Sequence, residues 1–334
     1  MNRRAFSRIA AHTVAAAAAL TVAGNALAQS PAMSLSFMLD FTPHGLHAPY
    51  FLAQQKGWFK EAGLNVSIQD GKGSVSVIQL AGAGKIDVGH AGLGAMAIAQ
   101  TKGVPVKAVS SILRLNPMGV LFSKGAGYTS PASFKGKELI YTASSLESPF
   151  VDSFLAAGQL KRSDVKLLAT DLPSKISTYF SGKADAVVAP IPYMMAIMGG
   201  KRDSEWLRFT DFGMPMLDYG MVAGEDTIKA KPEALAAFNK VVARAFAYVQ
   251  DGHLDEGVKA IIDARPEVQL NKDVLAAQFK AYAQYIISPS TQGKPVGFIS
   301  AKDWEDTTAT LKKFDLVPAS AKPTDFYTVA FSPK

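Results

Sequence analysis

The tetrapeptide pattern Gly-Lys-x-Asp occurs twice, and each time it separates a helical stretch from an apolar strand. Gly84-Lys85-Ile86-Asp87 follows a helix predicted over 75–83, with Val75, Ile78 and Leu80 on its apolar side, and opens a strand at 86–89. Gly182-Lys183-Ala184-Asp185 follows a helix capped by Ser174, carrying Ile176, Tyr179 and Phe180, and opens a strand at 184–189. A helix-to-strand unit used twice predicts two similar lobes. Further strands are predicted at 35–39, 64–68, 104–112, 138–142 and 165–168, with helices between them. Such alternation predicts largely parallel sheets with helices on their faces. From Pro232 onward only helical spacing remains, over 232–250, 255–264, 273–287 and 303–314. The expected organisation is a discontinuous first lobe, 29–117 and 218–334, whose C-terminal part is helical, and a second lobe, 118–217.

The first 28 residues differ from the rest. Arg3, Arg4 and Arg8 precede an Ala-rich apolar stretch, and Ala26-Leu27-Ala28 has the small-x-small form of a cleavage site before Gln29. Residues 1–28 therefore read as an export signal, and Arg3-Arg4-Ala5-Phe6 resembles a twin-arginine signal. Its removal takes three Arg and no acidic residue, so the net charge of +7 becomes +4. No dense basic run with interleaved aromatics occurs, and nucleic acid is not an expected partner. No later segment is apolar for long enough to predict a membrane span. The chain has no cysteine, which excludes disulfides, thiolate catalysis and Cys-based metal sites.

Candidate binding residues gather where predicted strands end. The first strand runs into Asp40-Phe41-Thr42-Pro43-His44-Gly45-Leu46-His47-Ala48-Pro49-Tyr50, a loop broken by Pro and Gly before a helix. Strand C-termini facing helix N-termini are where α/β proteins bind ligands. Phe41, His44, His47 and Tyr50 are candidates there. Ser74, His90, Gly92, Asn116, Ser144, Ser145 and Tyr193 are candidates at later strand ends, loops and helix starts. Gly89-x-x-Gly92-x-Gly94 lacks the dinucleotide-binding order and is expected to let a ligand or backbone approach closely. No phosphate loop, nucleophile elbow or His-Glu-x-x-His pattern occurs, so no catalytic residue, cofactor or metal is expected.

Together these residues resemble the extracytoplasmic solute-binding proteins of ABC importers. The similar branches are the nitrate/sulfonate/taurine and thiamine-pyrimidine-precursor types. The resemblance rests on Asp40-Phe41-Thr42-Pro43-x-x-x-His47, on Lys56-Gly57-Trp58-Phe59-Lys60-Glu61-Ala62-Gly63-Leu64-x-Val66, on Gly73-Ser74 with Ile78-Gln79-Leu80, and on Gly84-Lys85-Ile86-Asp87-Val88-Gly89. It implies an α/β, two-lobed periplasmic binding protein fold, type II-like, with a mixed sheet flanked by helices in each lobe. It also implies a ligand in the interlobe cleft, a permease and its ATPase as partners, a periplasmic location and a monomer. Where the pyrimidine branch has Asn after the first-loop Pro, this chain has His44. Where that branch has a Trp- and Asn-containing run, this chain has Pro190-Ile191-Pro192-Tyr193-Met194-Met195.

The expected ligand is a small planar or anionic solute: a sulfonate, an aromatic acid or a pyrimidine precursor. Phe41 and Tyr193 are expected on its flat part. Ser74, Ser144, Ser145 and helix N–H groups are expected at its polar or negative end, with His44 and His47 adding charge below about pH 6.5. A eukaryotic pyrimidine synthase of similar fold, cytosolic and with a cysteine-rich segment, is the alternative, as is a periplasmic sensor subunit. The expectation from the sequence is that the chain is not an enzyme. Protein recovered from the periplasm should begin at Gln29 by intact mass. Full-length protein found only in the cytoplasm would contradict the export reading.

Overall fold

The computed structural model describes residues 32–334, and the predicted export signal lies outside them. Two five-stranded mixed sheets form the frame. The first has the order β2-β1-β3-β10-β4, from β1 (Met33–Met38), β2 (Leu64–Gln69), β3 (Val88–Gly92), β4 (Val106–Ser111) and β10 (Tyr219–Gly224). The second has the order β7-β6-β8-β5-β9, from β5 (Met118–Ser123), β6 (Glu138–Thr142), β7 (Lys166–Thr170), β8 (Ala186–Pro190) and β9 (Ser204–Arg208). The two sheets share one plan. Three parallel strands are followed by an antiparallel one, β10 in the first sheet and β5 in the second.

β10 reaches the first sheet only after the chain has built the second. The chain therefore crosses between sheets twice, at 112–117 and at 209–218. The crossings are tied together by backbone bonds, Asp218 N–H to Leu113 O and Leu113 N–H to Tyr219 O. Asn116 reinforces them, donating to Met214 O at 3.2 Å and accepting from Met118 N–H at 2.9 Å.

Helices cover both sheets. In the first half these are α1 (Ala48–Gln55), α2 (Trp58–Glu61), α3 (Ser74–Gly82) and α4 (Leu93–Thr101). In the second they are α5 (Val151–Ala157), α6 (Leu172–Phe180) and α7 (Ile191–Met198). α8 (Glu225–Ala230), α9 (Pro232–Tyr248), α10 (Leu254–Ala264), α11 (Lys272–Ala283) and α12 (Ala301–Lys313) form the C-terminal helical part. Gly57 ends the first helical turn region in the left-handed conformation, φ 74°, which suits a residue without Cβ. The alternating burial of β1 points Leu35 and Phe37 inward, and Phe37 packs edge-on against Tyr50 and Phe238 at 5.2 and 5.1 Å.

Two features depart from the sequence reading. β9 carries Ser204-Glu205-Trp206-Leu207-Arg208 as an edge strand with no fully buried residue, so it lacks the apolar run that marks inner strands. α11 contacts α1's entry turn through Gly45 and also packs on α7, so the helical C-terminal part touches both halves of the molecule. Among the described residues no helix is long and apolar enough to cross a membrane.

Candidate functional site

Asp40 lies just past the end of β1, fully buried, and three imidazoles surround its carboxylate. His47 Nε2 lies 2.8 Å and His90 Nδ1 3.0 Å from Asp40 Oδ1, and His44 Nε2 stands at 3.6 Å. The local fold sets these positions. Pro43 and Gly45 turn the chain into a single 3-10 turn, Gly45–His47, which swings His47 back over Asp40. His90 arrives from β3, one residue beyond the parallel pair Met38 and Gly89.

The tautomer of His47 follows from its second nitrogen. His47 Nδ1 accepts the backbone N–H of His44 at 3.2 Å, so Nε2 carries the proton and donates it to Asp40. Burial works against the Asp40 charge, but the three imidazoles hold its carboxyl well below the usual carboxylate range. Burial, helped by neighbouring His44, pushes His47 down to about 3 despite its carboxylate partner. Burial lowers His90 as well. The core of the site is thus one carboxylate held by two neutral imidazole donors. Asp40, His47 and His90 also present atoms that could ligate a cation, all within 4.8 Å of one another. A cation there would have to displace both shared protons.

In front of Asp40 a narrow cleft of about 20 Å³ lies between the two sheets. That is room for about one water, far below the roughly 300–1,000 Å³ of ligand pockets, so a ring can enter only when the two halves part. Its walls are Phe41, His44, Tyr193, Tyr219 and Tyr282, with Ser145, Leu146, Leu172 and Pro190. His44 is the hub of the aromatic walls, 5.6 Å from the Tyr193 ring and 5.9 Å from the Tyr282 ring. A second charged group completes the lining. Glu147 and Lys175, both buried, form an ion pair at 2.6 Å, and Lys175 also donates to Val188 O at 3.3 Å. Asp218, buried in the second crossing, has its carboxyl raised well above the ordinary value by burial and by the charges of Asp40 and Glu147.

Of the residues singled out in the sequence, Phe41, His44, Ser145 and Tyr193 line this cleft. His47 and His90 lie behind Asp40. Tyr50 lies deeper still, fully buried between His47, His90, Phe37 and Phe246. Asn116 belongs to the crossings, where its amide is spent on backbone. The serines do not present the polar end expected of them. Ser74 Oγ accepts from Gly92 N–H, Ser145 Oγ donates to Thr142 O, and Ser144 Oγ donates to Lys72 O. One N–H of the α3 N-terminus is already taken, because Val75 N–H donates to Ser144 O at 3.1 Å across the two halves. Gly73, at φ 117°, makes this approach possible, since a Cβ there would lie 2.2 Å from Ser144 O. Gly92 likewise admits Leu146, whose Cβ would lie 2.9 Å from a Cβ at that position. Asp40, Glu147, Lys175, Tyr219 and Tyr282 were not among the expected site residues.

Two sheets of matched topology, joined by two crossings and sharing a cleft, define the α/β periplasmic binding protein fold. A family profile described as NMT1/THI5 like matches residues 45–252, and the chain belongs to that family. A 4-amino-5-hydroxymethyl-2-methylpyrimidine phosphate synthase of Saccharomyces cerevisiae is 28% identical, covering 85% of this chain and 84% of its own. A formylaminopyrimidine-binding protein of Halalkalibacterium halodurans is 24% identical, covering 84% and 86%. The structure of an alkanesulfonate-binding protein from Xanthomonas axonopodis, bound to MOPS, superposes with a TM-score of 0.64 at 15% identity, covering 86% and 95%. The yeast relative is named as an enzyme, and this overturns the expectation of a non-enzymatic chain.

The neutral state of His47 has a measurable consequence. Below about pH 6.5 unfolded chains take up a proton on this residue, while the folded protein does so only near pH 3. Stability from this group is therefore complete above 6.5 and is lost as pH falls toward 3. His90 acts in the same sense, and the raised Asp218 in the opposite sense, in wild type and variant alike. In denaturant titrations a His47→Gln variant should lose stability less steeply across this window, by about 1.4 kcal/mol per pH unit. Equal slopes would mean that His47 is not neutral in the folded state.

Proposed function

We propose that this chain captures a small planar ring solute, of the pyrimidine-precursor type, outside the cytoplasm for an ABC permease and its ATPase. The observation that carries the reading is the aromatic cleft between the sheets, where His44, Tyr193 and Tyr282 stand around one narrow space. Flat apolar walls gain most from a flat ligand, about 0.5–1.5 kcal/mol per aromatic pair beyond burial of area. A relative that binds a formylaminopyrimidine supports the choice of ring. In this reading the protein acts as a monomer, 118–217 closes against the rest about the two crossings, and residues 1–28 direct export. Phe41, His44, Ser145 and Tyr193 touch the ligand, with Asp40 and Tyr282 added to that set. His47, His90 and Tyr50 support Asp40 from behind, while Ser74, Gly92 and Ser144 join the two halves.

A second reading is favoured by the yeast relative: conversion of a pyrimidine in the same cleft. Calorimetry of the mature protein with aminopyrimidines, sulfonates, aromatic acids and nitrate tests the capture, and mass spectrometry of the recovered ligand separates capture from conversion. A ring ligand should bind and lose about tenfold or more in affinity, roughly 1.4 kcal/mol, in Tyr193→Ala and in Tyr282→Ala. Unchanged affinity in both variants would remove the cleft from the account, and a chemically altered ligand would establish the second reading.

A further inference from the structure

The cleft contains two carboxylates that are only half used. Asp40 spends Oδ1 on His47 and His90, and Glu147 spends Oε1 on Lys175. Asp40 Oδ2 and Glu147 Oε2 are buried without a hydrogen-bond partner, on residues 1% and 0% exposed. Both residues line the same space. Leaving a buried acceptor unpaired costs about 1–3 kcal/mol, more when it is charged, so such atoms mark a place where donors arrive. The charge balance points the same way. Lys175 pairs with Glu147, while Asp40 is bonded by two imidazole N–H groups, with the His44 imidazole 3.6 Å away. Two carboxylates therefore border an aromatic, poorly solvated cleft. A ligand anion would add like charge there, where little water screens it.

We infer that Asp40 and Glu147 act together as a charge filter: they select ring ligands that present N–H donors to Oδ2 and Oε2, and they reject anions. The inference rests on the capture reading above and names the two residues that decide which rings are admitted. It also separates this cleft from sites for sulfonate or nitrate. Their ligands bring acceptors and negative charge, whereas here the Ser144 and Ser145 hydroxyls and the Val75 N–H that could receive them are already bonded within the protein.

Three rings of similar size test the filter: 4-aminopyrimidine, 4-methylpyrimidine and pyrimidine-4-carboxylate, titrated calorimetrically at pH 7.5. The amine should bind at least tenfold more tightly than the methyl analogue, and the carboxylate most weakly of the three. In Glu147→Gln the span between amine and carboxylate should shrink at least fivefold. Because Glu147→Gln leaves Lys175 buried without its partner, the Glu147→Gln, Lys175→Met double variant provides the same comparison with no orphaned charge. If the three rings bind equally, or the carboxylate binds best, the filter is wrong and capture stands. The filter is equally wrong if the order persists undiminished in both variants. Failure of all three to bind would sink the capture reading itself.

Discussion

A carboxylate kept ionised inside the protein is what the rest of this site is arranged around. Moving a lone charged group out of water is costly unless it is hydrogen-bonded. The chain meets that cost with two imidazole N–H donors rather than with a cation. One donor comes from a turn seven residues further along the chain's own loop, and the other from the neighbouring strand β3. A Lys or Arg would have neutralised Asp40. The neutral His47 and His90 stabilise its charge without cancelling it, and Tyr50, packed behind them and fully buried, keeps water away from that side. The arrangement leaves one carboxylate oxygen, Asp40 Oδ2, without a partner beside the cleft.

The topology explains how a cleft comes to lie in front of Asp40. Each sheet borrows its antiparallel strand across a crossing, so the carboxyl ends of β1, β3, β6 and β8 converge on a common space. Asn116 and the backbone bonds around Asp218 join the two crossings. On the far side of the cleft, Gly73 and Gly92 let the 144–146 segment of the second half approach the first half closely. Contacts of this kind hold the halves together only when they approach in this way, which suits a protein that closes over a ligand. α11 adds a third wall. Gln278 accepts the Gly45 N–H at 2.8 Å, and Tyr282, one turn further along, reaches the cleft.

Much of the frame was legible in the sequence. The repeated Gly-Lys-x-Asp connection marks equivalent helix-to-strand junctions, before β3 and before β8. The loop after β1 was legible as a site because Pro43, Gly45 and the histidines interrupt the strand together. What the histidines do was not legible. Spacing shows that they are near one another, but only the fold shows that His47 and His90 face inward onto Asp40 and leave His44 at the cleft. The serines misled for a related reason. A hydroxyl near a helix start suits an anion or its own backbone equally well, and here the backbone takes it. Lys175 reads as a surface residue of an amphipathic helix, and its burial depends on Glu147, which lies on another element. Tyr282 could not be found from local pattern, since its place in the cleft is set by packing of α11 on the 44–47 turn and on α7.

The relatives are named for binding and for synthesis of pyrimidines, and the proposed function places a ring in this cleft on either reading. The most direct measurement is a crystal structure of the mature protein grown with an aminopyrimidine. The account predicts a ring among His44, Tyr193 and Tyr282, with N–H groups within hydrogen-bond distance of Asp40 Oδ2 and Glu147 Oε2. A ring bound elsewhere, or seated there with its acceptor edge toward the two carboxylates, would contradict it.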